Sequence, residues 1–118
     1  MEIAVRQASS DARVTVVTLQ GEMDIGEEGV DRLRSVLDSA VEDGQRFVVL
    51  DLSQMTYIVS RGFGQMLVAL ARLRTRRGDL RVAGAKGSVW TAATTVGLDN
   101  IMQFHPTTEE AVTSFADY

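Results

Sequence analysis

The feature that most constrains this chain is the segment from Phe47 to Leu73, where an apolar run passes into a helical repeat through a short join. Phe47-Val-Val-Leu-Asp-Leu52 lacks the polar alternation of a half-exposed strand and predicts a central strand covered on both faces. Phe63, Met66, Leu67, Leu70 and Leu73 recur at three- and four-residue spacing, which predicts a helix with one apolar stripe. Parallel strands need a crossover connection, and a buried strand feeding an amphipathic helix supplies one.

The remaining elements repeat that unit. Residues 2–7 set Ile3 and Val5 against Glu2, Ala4 and Arg6, a short strand, and Ser9-Ser-Asp-Ala12 is a turn cluster. Val14 to Leu19 is a second strand, paired with the first as a hairpin. The glycine-broken stretch Gly21 to Gly29 is expected as a loop leading into a helix with Val30, Leu33, Leu37, Ala40 and Val41 on one face and Gly44 as its stop. Ser53 to Ser60 is expected as a second loop, before a helix from about Arg61 to Arg77, whose basic last turns suit the negative end of the helix dipole. Gly78-Asp79 turns the chain into a strand at Leu80–Ala83, and Gly84 to Ser88 is a third loop. A helix containing Val89, Trp90, Ala93 and Val96 ends at Gly97, with Trp90 expected in the core. Ile101 to Phe104 is a last short strand, and Thr107 or Thr108 caps a final helix that turns Ala111, Val112 and Phe115 inward. The order β-β-α-β-α-β-α-β-α predicts an α/β fold: one domain over residues 1–118, with a mixed, largely parallel sheet of about five strands and four helices.

Composition narrows the function. A net charge of −4 leaves no basic field for nucleic acid. The chain has no cysteine and one histidine, His105, which excludes a disulfide framework and most nucleophile–base pairs and metal sites. No cofactor is expected. The first residues show no signal-peptide pattern and no apolar run reaches the roughly 20 residues of a membrane span, so the sequence reads as a cytoplasmic protein without membrane insertion.

In an open α/β sheet the loops after the carboxyl ends of parallel strands share one edge, where function gathers. The three loops would bring Asp24, Ser60 and Lys86 to that rim, with Met23, Tyr57, Ile58 and Phe63 adding apolar contact typical of a protein-binding patch; Tyr57 and Phe63 read also as core, and Lys86 as a solvated loop lysine. Ser60 stands where the second helix begins. It reads as a cap for an unpaired N–H, as a phosphoryl acceptor at the positive end of the dipole, or as both. Arg61 beside it opposes that dipole unless an anion comes to meet it. Asp24 reads equally as a turn residue bonding its own backbone. Gly84-x-x-Gly-Ser88 falls short of a phosphate-cradling loop.

Gly21-Glu-Met-Asp24 after a strand resembles the Gly-Glu-Leu-Asp element of the STAS domain. Met55-Thr-Tyr-Ile-Val-Ser-Arg-Gly-Phe-Gly64 resembles its phosphorylation segment, Leu-Thr-Phe-Met-Asp-Ser-Ser-Gly-Leu-Gly. The stretch Val96 to Phe104 and then Thr107-Thr-Glu-Glu-Ala111 look like the end of the same domain, and the closest likeness is to bacterial anti-sigma factor antagonists. The resemblance implies a partner switch: the domain binds an anti-sigma factor, usually a serine kinase, and frees a sigma factor. Phosphorylation of Ser60 ends the binding, and a serine phosphatase resets it. The rim and the resemblance together give an expected partner surface of Met23, Asp24, Tyr57, Val59, Ser60, Arg61, Gly62, Phe63, Gly64 and Lys86; by the resemblance Asp24 matches the motif aspartate near that surface, and Gly62 and Gly64 match glycines that let a partner approach. Two positions depart from the pattern: Val59 stands for the family's aspartate and Arg61 for its serine. The alternative is an unphosphorylated STAS scaffold subunit of a stressosome-like or lipid-transport complex, with Ser60 only a cap. No enzymatic activity is expected, and the oligomeric state is left open.

Overall fold

A computed structural model describes residues 1–24 and 26–118; Ile25, within the first expected loop, lies outside the described residues. The strands are β1 (Glu2–Gln7), β2 (Val14–Met23), β3 (Phe47–Ile58), β4 (Asp79–Ala83) and β5 (Phe104–His105). The helices are α1 (Glu27–Glu42), α2 (Ser60–Arg74), α3 (Gly87–Thr95) and α4 (Thr108–Thr113), with a short 3₁₀ turn at Leu98–Asn100. The five strands lie in sequence order. β1 pairs antiparallel with β2, and every later neighbour is parallel. The mixed, largely parallel sheet and the alternating order are therefore as the sequence predicts.

Strand order decides where the helices go. Right-handed crossovers that always step to the next strand on the same side must put α1, α2 and α3 on one face. The main core shows this: Leu33 and Leu37 of α1, Met66, Leu70 and Leu73 of α2 and Val89 of α3 close over Val17, Val48, Leu50, Leu80 and Val82. On the opposite face Ala111 and Val112 of α4, with Phe115 in the turn after it, pack against Val14, Val16, Phe47, Val49 and Ala83. Phe47 to Leu50 is thus buried on both faces, which is why its polar alternation is missing.

Several boundaries differ from expectation. β2 continues through Gly21 to Met23, and β3 through Ser53 to Ile58, so two stretches expected as loops are strands. They pair as Thr18↔Asp51, Gln20↔Gln54, Gly21↔Met55 and Glu22↔Tyr57, so β3 carries an extra residue at each of two bulges. A bulge breaks the period-2 pattern from which a strand is recognised. α1 begins at Glu27, and α2 ends at Arg74 rather than Arg77. The last strand is Phe104–His105, because Leu98–Asn100 takes a 3₁₀ turn first. Asp79 opens β4 as a buried residue rather than turning the chain. Trp90 is 40% exposed, not core, with its ring edge-on to Phe104 at 5.4 Å. Thr107 does cap α4, accepting from the Glu110 N–H at 3.1 Å.

Candidate functional site

β2 and β3 run side by side to the same end of the sheet, and a backbone bond ties the two chain segments together there. The Val59 N–H donates to the Met23 carbonyl at 2.8 Å, so the residue before α2 is pinned to the last residue of β2. Val59 is the N-cap, with extended φ −70° and ψ 151°. Ser60 is therefore the first helical residue, and its side chain makes no capping bond. The helix entry tightens by a Gly62 N–H to Val59 carbonyl bond of 2.8 Å instead. The cap reading of Ser60 is thus corrected: Val59 occupies that position and has no side-chain oxygen to offer. The Ser60 side chain is exposed, and its hydroxyl makes no hydrogen bond among the described residues.

The positions around it divide into surface and support. Tyr57 is 47% exposed, Arg61 is exposed and Val59 half-buried. Asp24 is exposed, and its Oδ1 accepts from the Gly26 N–H at 3.0 Å, the side-chain turn expected of it. Met23 and Ile58 are in the core, at 0% and 3% exposure, so the expectation that they add apolar surface is corrected; Phe63, at 3%, takes its core reading, whereas Tyr57 does not. Met23 and Ile58 end their strands beneath the start of α2, and Phe63 turns inward from the helix itself; local sequence does not reveal the burial of the two strand ends.

The two glycines differ in the same way. A Cβ on Gly62 would come within 2.5 Å of Met23 Sδ and 2.9 Å of Ile58 Cγ2. Its smallness serves the packing beneath the rim. A Cβ on Gly64 meets nothing within 4 Å, so this half-buried glycine faces open space.

Lys86 is also at the carboxyl end of the sheet, after β4, and is exposed. It lines a hollow of ≈ 470 Å³ with Trp90, Phe104 and His105 that includes neither Asp24 nor Ser60. The two regions are linked through α3, where the Ser88 hydroxyl donates to the Thr56 carbonyl at 2.6 Å. Sequence reasoning missed this contact; the only local hint was a serine in the first turn of α3.

The sequence also missed a buried ion pair on the α4 face. Asp79 and Arg81 are 5% and 4% exposed, and Arg81 Nε donates to Asp79 Oδ2 at 3.0 Å. The other Asp79 oxygen accepts from Arg74 Nε at 3.1 Å, while Arg81 reaches the Ser114 carbonyl and hydroxyl, both at 2.7 Å. The Arg81 guanidinium stacks over Phe115 at 4.1 Å. This network fastens the end of α4 to β4, and through Arg74 it also ties in the last turn of α2. Among the described residues, no three His, Cys, Asp or Glu side chains gather to hold a metal ion, and no helix is long and apolar enough to cross a membrane.

A five-stranded mixed sheet of this order, with α1, α2 and α3 on one face and α4 on the other, defines a class of small α/β domain. Residues 5–111 match the STAS domain family, and the chain belongs to it. Among solved structures, a candidate anti-sigma factor antagonist from Thermotoga maritima superposes with a TM-score of 0.84 at 19% identity, covering 95% of this chain and 92% of that one. An anti-sigma factor antagonist from Mycobacterium paratuberculosis gives 0.84 at 22% identity, covering 96% and 92%. The Bacillus cell fate determinant SpoIIAA in its phosphorylated form gives 0.73 at 19% identity, covering 96% and 98%. At these identities the likeness is one of fold. No curated protein matches the sequence.

Proposed function

We propose that this chain is an anti-sigma factor antagonist. It binds an anti-sigma factor of the serine kinase type through the rim around Ser60, so that a sigma factor is released, and it loses that partner when Ser60 is phosphorylated. The observation that carries the reading is the Ser60 hydroxyl: exposed, unengaged among the described residues, and held in place by the Val59–Met23 bond behind it. Asp24, Tyr57, Val59, Arg61 and Gly64 offer the contact surface. Met23, Gly62 and Phe63 hold that surface from beneath, and Lys86 sits at its margin. The likeness to SpoIIAA, whose phosphorylated form has been solved, adds support at the level of fold.

The switch needs no change of shape. A phosphate adds about −1.5 to −2 charges, and at a helix N-terminus the dipole and first-turn N–H groups tolerate it within the fold. In a docked interface the same charge must be desolvated on a rim that also carries the exposed Asp24 carboxylate. The expected loss is roughly 2–4 kcal/mol in binding, tens-fold to thousand-fold. Arg61, where the family has a serine, offers a cation beside the acceptor and alters what a kinase must recognise. A serine phosphatase completes the cycle.

Incubation with a cognate kinase-type anti-sigma factor and ATP should add one phosphate, located at Ser60 by peptide mass. Ser60→Ala should retain the partner in calorimetry and Ser60→Asp should lose most of its affinity. Equal affinity of the two variants would overturn the switch.

A further inference from the structure

The sheet has two edges, and only one is long enough to pair. β5 has two residues, whereas β1 has six, every one exposed except the half-buried Ile3. The β1–β2 register runs from Glu2↔Gln20 to Gln7↔Thr15 without a shift, so β1 has no bulge, and it contains no proline. Those are devices that keep an edge strand from pairing, and β1 lacks both. Beside it, on the α1 face, lie two hollows. Val5, Val36 and Ala40 line one of ≈ 310 Å³, and Ile3 and Val36 line its neighbour of ≈ 450 Å³. Val5 is 54% exposed.

We propose that β1 is the interface of a homodimer, in which two copies pair their β1 strands antiparallel about a two-fold axis at Ala4. The charge pattern of the strand selects both the occupant and the register. Directly opposed residues in an antiparallel pair share one face, and a two-fold pairing requires the two positions to sum to an even number. With Ala4 opposite Ala4, Glu2 of each copy faces Arg6 of the other, and Ile3 faces Val5. A shift by one step to either side sets Glu2 against an alanine and loses both ion pairs. Only the Ala4-centred register satisfies both charges while putting four branched apolar side chains together on the α1 face. That face is where Val36 and the two hollows await cover. The edge N–H and C=O groups would pair as well, joining the two sheets into one.

The two-fold axis reverses strand direction across the interface. The rim bearing Ser60 therefore lies at opposite ends of the joined sheet in the two copies, and both rims stay open to a partner. The inference rests on β1 alone and is independent of the function proposed for Ser60.

The test uses the intact chain in sedimentation equilibrium at low salt. The wild type should show a monomer–dimer equilibrium. E2R and R6E should each weaken dimerisation at least about tenfold, since each sets like charges in opposition twice per dimer. The double variant E2R/R6E should recover it, and an equimolar mixture of E2R and R6E should form heterodimers. Circular dichroism should be unchanged, and so should melting at concentrations low enough that the wild type is monomeric, because these side chains are exposed. The chain has no cysteine, so A4C adds a unique thiol. Opposed Cα atoms about 4.5–5.5 Å apart suit a disulfide, and A4C should cross-link under mild oxidation where E2C does not. A wild type that stays monomeric at about 1 mM, where millimolar affinity would show, overturns the proposal. So does dimerisation unaffected by the single charge swaps, and so does a β1 that pairs only with a strand of another protein.

Discussion

The backbone N–H of Val59 donates to the carbonyl of Met23 at 2.8 Å, joining the ends of two parallel strands just before α2 begins. The bond fixes where the helix enters, and so where the Ser60 hydroxyl stands. Beneath it Met23 is fully buried against Gly62, so a rim meant for another protein is supported by tight internal packing.

The two glycines of the α2 start should separate packing from docking. Gly62→Ala forces a methyl group against Met23 and Ile58, and should cost about 1–3 kcal/mol in urea unfolding. Gly64→Ala meets open space within a helix, and should raise stability by about 0.5–1 kcal/mol. Binding should respond in the opposite sense at Gly64, where the added methyl group stands in the proposed partner's path. Calorimetric titration with the anti-sigma factor reads this second effect.

Asp79 and Arg81 should behave as a coupled pair. Asp79→Ala leaves the buried Arg81 guanidinium without its carboxylate, and should cost about 3–5 kcal/mol. The double replacement D79L/R81M removes both charges and should be less destabilising than Asp79→Ala alone. Chemical unfolding of D79L, R81M and the double variant D79L/R81M gives the coupling. An additive result would mean that the charges act separately.

His105 should give the fold a pH dependence of known sign. Burial, and then the charge of Arg81, hold its pKa below the ordinary value, with Glu110 acting weakly the other way. A histidine depressed in the folded state is neutral there while the unfolded chain takes up the proton. Its contribution is fully present above about pH 6.5. It is lost as the pH falls from there through the lowered folded value. Thermal melts between pH 5 and 8 should show this slope, and His105→Gln should flatten it.

Much of this was legible in the chain itself. The order of the elements, the inward faces of α1 and α2, the doubly covered start of β3, the Thr107 cap and the place of Ser60 at a strand-to-helix join all come from spacing. Periodicity and capping are relations among residues a few positions apart, so they survive in one dimension. The tertiary structure decided the rest. It extended β2 and β3 through bulges that erase the strand period. It buried Met23 and Ile58 under α2, exposed Trp90 and gave Gly62 and Gly64 different neighbours. It also left the Ser60 hydroxyl without a capping role and joined Asp79 and Arg81 beneath α4. These outcomes depend on which distant element lies over a given face, because burial is a property of position in the assembled sheet and not of neighbouring residues along the chain.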